Sequence, residues 1–119
     1  MADIDPVEVG SRSVTNKVVK WEGLTNSDTA GTSVNIADYP DRSVQVTGTP
    51  DSATLVIQGS NDGGTTWATL NDPFGNALSF TAAGLEGVAE LVDEIRPSTS
   101  GGGGSQDLNV YLFLGGKNV

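Results

Sequence analysis

Along this chain, short runs of Val, Ile, Thr, Leu and aromatic residues alternate with polar positions, and turn residues interrupt them about every 8 to 12 residues. Alternation with a period of two marks strands that bury one face, and it predicts strands over 14–21, 32–36, 42–47, 53–59, 65–70, 77–81 and 107–114. In 42–47, Val44 and Val46 alternate with Ser43, Gln45 and Thr47, and Tyr39-Pro40-Asp41 supplies the preceding turn. Residues 53–59 and 65–70 read as a hairpin around Ser60-Asn61-Asp62-Gly63-Gly64, whose glycines reach positive φ without steric cost. The last strand sets Leu108, Val110, Leu112 and Leu114 on one face and Tyr111 and Phe113 on the other. A strand apolar on both faces belongs in the middle of a sheet, or covers a partner surface with its second face.

Three stretches break the pattern. In 82–93, Leu85, Val88 and Leu91 recur at helical spacing, but Gly84 and Gly87 each weaken a helix by about 1 kcal/mol, so one short helix at most is expected. Residues 98–105, with glycines at 101 to 104, read as a mobile loop between Ile95-Arg96-Pro97 and the final strand. Residues 1–12 have neither period and read as an extended N-terminal arm. The expected fold is therefore all-β: one β-sandwich or jelly-roll-like domain over 13–119, with roughly seven or eight strands.

Composition narrows the chemistry. A chain of 119 residues holds one ordinary core. It has no cysteine and no histidine, which removes disulfides, the usual zinc sites, thiol nucleophiles and the commonest general base. Asp3, Asp5 and Glu8 stand where a signal peptide needs a basic and then an apolar region, and no apolar run approaches the roughly 20 residues of a membrane helix. Neither secretion nor a membrane is expected. Of the net charge of −9, residues 1–20 contribute zero, because Arg12, Lys17 and Lys20 offset Asp3, Asp5 and Glu8. An acidic body repels phosphate backbones, so nucleic acid is not an expected partner. Solubility alone also accounts for such charge.

Ser60-Asn61-Asp62-Gly63-Gly64-Thr65-Thr66-Trp67 fits the Ser-x-Asp-x-Gly-x-Thr-Trp pattern of the Asp-box hairpin. Asp62 can accept backbone N–H groups across the turn, Gly64 supplies the unusual backbone angle, and Trp67 packs back over it; Ser60 and Thr66 complete the set. This reads as a structural turn. A sialidase propeller would need several such boxes, an arginine cluster and a far longer chain, whereas Arg12, Arg42 and Arg96 are the only arginines. The densest acids, Glu86, Glu90, Asp93 and Glu94, lie beside glycines and away from aromatics, so a solvated edge is expected in preference to a glycosidase pair. Neither Asn26-Ser27-Asp28 nor Asn71-Asp72 has the spacing of a calcium loop. No catalytic residue, metal or cofactor is expected. Phe74, between Pro73 and Gly75, is expected to tuck into the core, with a partner contact as the alternative.

From Leu55 onward the order Leu55-Val56-Ile57-Gln58-Gly59-Ser60-Asn61-Asp62-Gly63, Trp67-Ala68-Thr69-Leu70, Asn71-Asp72-Pro73, Gly75-Asn76, Leu78-Ser79-Phe80-Thr81, then Ile95-Arg96-Pro97 and a glycine-rich loop, resembles the small β-sandwich decoration, or cement, proteins on the heads of tailed bacteriophages. The resemblance implies a virion structural protein on the outer capsid surface, assembled in the host cytoplasm. It also implies the major capsid protein as partner, association with copies of itself as a trimer, and no catalysis. Ile4, Val7 and Val9 of the arm, with Phe74, are the candidate partner-binding residues. An arm that cannot form a core alone gains by laying them on a neighbouring subunit, so its removal is expected to spare the fold. The alternatives are a tail or fibre module, a carbohydrate-binding sandwich with exposed coplanar aromatics, and a hydrolase with buried carboxylates.

Overall fold

The computed structural model describes residues 4–9, 16–27 and 30–116. Among the described residues ten strands form two antiparallel sheets of five. The first sheet takes the order β1 (Val7–Glu8), β2 (Lys17–Leu24), β10 (Asp107–Gly115), β4 (Asp41–Thr49), β8 (Gly84–Gly87). The second runs β3 (Val34–Asn35), β9 (Glu94–Ser100), β5 (Thr54–Ser60), β6 (Ala68–Thr69), with β7 (Ser79–Phe80) also paired to β5. Strand β10 lies centrally in its sheet, as its two apolar faces require. The inner faces meet in one core: Val19, Trp21, Val44, Val46, Leu108, Val110, Leu112 and Leu114 from the first sheet pack on Leu55, Ile57 and Ile95 from the second. Ile36, Tyr39, Leu70, Leu78, Phe80 and Val88 complete it.

The all-β sandwich is the expected fold, with more and shorter strands than the roughly seven or eight expected. Segments 32–36, 65–70 and 77–81 shrink to two-residue strands, and residues 14 and 15 of the first predicted strand lie outside the described residues. The short helix does not form. Leu85 instead pairs with Gln45 and points outward on β8, while Val88 turns inward and donates its N–H to Arg42 O.

The predicted loop 98–105 is corrected at its start. Strand β9 runs through Ser100 and carries Pro97 opposite Ile57. The N–H of Ile57 goes to Leu78 O and its carbonyl takes Leu70 N–H, so both point away from β9 and the missing Pro97 N–H breaks no rung between β5 and β9. The glycines beyond are tied down: Gly103 N–H donates to Asp51 O (2.9 Å), Ser105 N–H to Asp51 Oδ2 (2.9 Å), and buried Gln106 reaches Leu24 O and Thr99 Oγ1.

The described part of the arm is not extended away from the domain. Val7 and Glu8 pair with Lys20 and Val19, Val9 N–H donates to Val18 O, and Ile4 bridges Gly31 and packs against the core. Residues 1–3 and 10–12 lie outside the described residues. The expectation that arm removal spares the fold changes accordingly. A chain starting at Asn16 loses the apolar burial of Ile4 and several sheet hydrogen bonds, on the order of 2 kcal/mol together. Its melting temperature is expected to fall by several degrees; melting with the full chain would show that the arm contributes nothing to the domain.

Candidate functional site

The Asp62 turn joins β5 to β6, which pair through Gln58–Thr69 and Gly59–Ala68. Ser60 Oγ donates to Asp62 Oδ1 (2.7 Å) and accepts the N–H of Gly64 (3.1 Å). Asp62 Oδ1 also accepts the N–H groups of Thr65 and Thr66 (3.0 Å each), and Oδ2 takes the Thr66 hydroxyl. Gly63 and Gly64 have φ of 76° and 86°, which suits glycine. Trp67 Nε1 donates to Gly64 O (3.1 Å), and the Arg96 guanidinium stacks over the Trp67 ring at 4.1 Å while its Nε donates to Gln58. These polar atoms of the motif serve the hairpin's own backbone.

The Thr66 hydroxyl and N–H, then the Ser60 hydroxyl, hold the Asp62 carboxyl far below the usual carboxylate range. A depressed folded-state pKa stabilises the fold fully above the unfolded value near pH 4, and the contribution fades as pH falls from there toward the folded value. Asp62→Ala is therefore expected to melt a few degrees below the native chain at pH 7, with the gap closing on acidification below about pH 4. A gap independent of pH would show that the carboxylate charge is not what holds the turn.

The acids singled out in sequence serve different contacts. Glu90 accepts the backbone N–H of Asn71 (2.7 Å) and its side-chain amide (2.8 Å); burial pushes its carboxyl up, but the Asn71 bonds outweigh it and the net shift is down. Asp93 accepts from Asn35, Glu94 from Ser33, and Glu86 is exposed beside Asp72. Among the described residues no three His, Cys, Asp or Glu side chains form a metal-binding group. An open groove of about 460 Å³ runs between the hairpin and 90–92, lined by Asp62, Trp67, Leu70, Glu90 and Val92. Its two carboxylates are those already engaged by Thr66 and Asn71.

The exposed apolar side chains stand elsewhere. Phe74 is 89% exposed, which corrects the expected core placement. Asp72 Oδ1 accepts the N–H groups of Phe74 and Asn76 (2.9 Å each), and those bonds, Asn76's first, keep the Asp72 carboxyl charged below its usual range. Gly75, at φ 88°, closes the turn and aims the ring outward. Of the arm candidates, Val7 is 57% exposed, Val9 is half-buried in a groove, and Ile4 turns toward the core. That groove, about 310 Å³, lies on the outer face of the first sheet between Val9, Val18, Ser43, Gln45, Leu85, Tyr111 and Phe113. Sequence reasoning placed Tyr111 and Phe113 on a second face of their strand but missed Val18 and Leu85. The register that lines them up runs across four strands, and no local signal reports it.

No protein-family model matches the chain, and no curated protein matches it by sequence. Among solved structures it is similar to the SPBc2 prophage-derived protein YomS, with a TM-score of 0.60 over 88% of this chain and 98% of that one, at 9% identity. A second structure, protein NMB1881 from Neisseria meningitidis, aligns with a TM-score of 0.45 at 10% identity, over 96% of this chain and 87% of that one. The likeness to the prophage-derived protein is one of fold.

Proposed function

We propose that this chain is a virion structural protein of a tailed phage, which sits on the outer capsid surface, binds the lattice of the major capsid protein and stabilises the shell. The observation that carries the reading is the sandwich shared over nearly the whole of both chains with a prophage-derived protein. The order of residues from Leu55 onward, which resembles the decoration proteins, supports it independently. The surface chemistry agrees. Val7, Phe74, Leu85, Leu91 and Phe113 are large apolar side chains left exposed on an otherwise acidic domain, as suits a protein that works by docking on other proteins and not by catalysis. The test is co-sedimentation with purified shells that lack the protein. Saturable binding at a fixed ratio to the capsid subunit is expected, and failure to pellet with such shells would contradict the reading.

A further inference from the structure

We propose that the Phe74 turn of one copy of this chain seats in the outer groove of the first sheet of another copy, so that the chain associates with itself through a knob and a socket. The proposal is independent of lattice binding and rests on three features that sequence separates and the fold sets out together.

The knob is rigid before it meets anything. Besides the two bonds to Asp72 Oδ1, Gly75 N–H donates to Asp72 O (3.0 Å) and Asp72 N–H to Asn76 O (2.8 Å), so the backbone carrying Phe74 is cross-braced. Pro73 lies alongside Gly87 of β8 and fixes the turn to the sheet edge. An aromatic ring carried on a braced backbone has only its own side-chain rotation to lose on docking, which suits an interface anchor.

The socket is apolar and open. One row across the sheet sets Val18 beside Phe113 and Phe113 beside Ser43; the next sets Lys20 beside Tyr111, Tyr111 beside Gln45 and Gln45 beside Leu85. Leu85 is 64% exposed and Phe113 39%, so the described residues leave the groove uncovered. Phe74 stands at the edge of the same sheet but remains exposed, so it does not fill its own socket.

Charge selects a second copy as the occupant. In a chain of net charge −9, most pairings of two copies set carboxylate against carboxylate. No carboxylate lines this groove among the described residues, and Lys20, which also pairs with Glu22, stands 5.2 Å from the ring of Tyr111, one of the lining residues. The collar of the knob carries the exposed Glu86, next to buried Asp72, whose carboxylate is taken up by the turn. Docking therefore brings the exposed Glu86 of one copy toward Lys20 of the other.

Sedimentation velocity across the micromolar range tests this with three proteins: the native chain, Phe74→Ala without a knob, and Leu85→Glu with a blocked socket. Both altered side chains are exposed, so both variants are expected to melt with the native chain; Gln45→Arg provides a second way to block the socket. The native chain is expected to self-associate and each variant to do so at least about tenfold more weakly. A mixture of the two variants is expected to form mixed complexes, because one intact knob and one intact socket remain. A native chain that stays monomeric, a Phe74→Ala chain that associates as the native one does, or a mixture that stays monomeric would each overturn the proposal. A monomeric native chain whose shell binding falls on Phe74→Ala would reassign the knob to a different protein.

Discussion

Trp21→Ala is expected to destabilise the domain by about 4 kcal/mol, enough to unfold a marginal sandwich at moderate temperature. The side chain is 1% exposed, on the inner face of β2 beside Val110 of the central strand, and Gly31 lies directly against its ring. Its Nε1 donates to Thr32 O (2.9 Å), so truncation opens a large cavity and also strips a carbonyl of its partner. Trp21→Phe restores most of the volume but not the hydrogen bond, and is expected to recover about half of the loss. Denaturant unfolding of the three proteins measures both quantities. A loss under about 1 kcal/mol for the alanine variant would mean that Trp21 is not central to the core.

Gly48→Ala is expected to cost roughly 3 kcal/mol through backbone strain. Gly48 has φ of 105°, a conformation that side chains rarely adopt, and an added Cβ would run into the backbone carbonyl of Asp107. Relief requires the β4–β10 pairing to shift near Leu108, where β10 already changes register against β2. The variant is expected to lose stability with no change in the exposed Phe74 turn. A melting temperature equal to the native one would show that the strand pair absorbs the side chain.

The alternation of Val44 with Val46 and of Leu108 with Leu114 was enough to read the inner faces, because burial on one side of a strand leaves a mark at every second residue. The Asp62 turn was legible because its partners lie within a few residues. What escaped notice depends on contacts far apart in sequence. Leu85, Val88 and Leu91 have helical spacing, yet pairing with β4 decides the structure and leaves only Val88 buried. The glycines at 101 to 104 imply freedom locally, but Asp51 holds Gly103 and Ser105 from a distance, and neighbouring Gln106 is anchored to Leu24. The expected strand 42–47 stops short of Gly48, which in the fold continues β4 to Thr49 at a left-handed angle. Of the candidate site, Phe74 and the outward pair Tyr111 and Phe113 were visible in sequence. The groove that unites that pair with Val18 and Leu85 required the sheet register.

The proposal that this domain belongs on the outside of a capsid is tested most directly by a cryo-electron microscopy map of particles produced by a strain that carries its gene, compared with particles from a deletion strain. Density matching a sandwich of 44 × 29 × 27 Å at symmetry-related positions on the outer shell, absent from the deletion particle, is the expected result. Identical shells in the two maps, with the domain found on the tail or in no particle at all, would contradict the account.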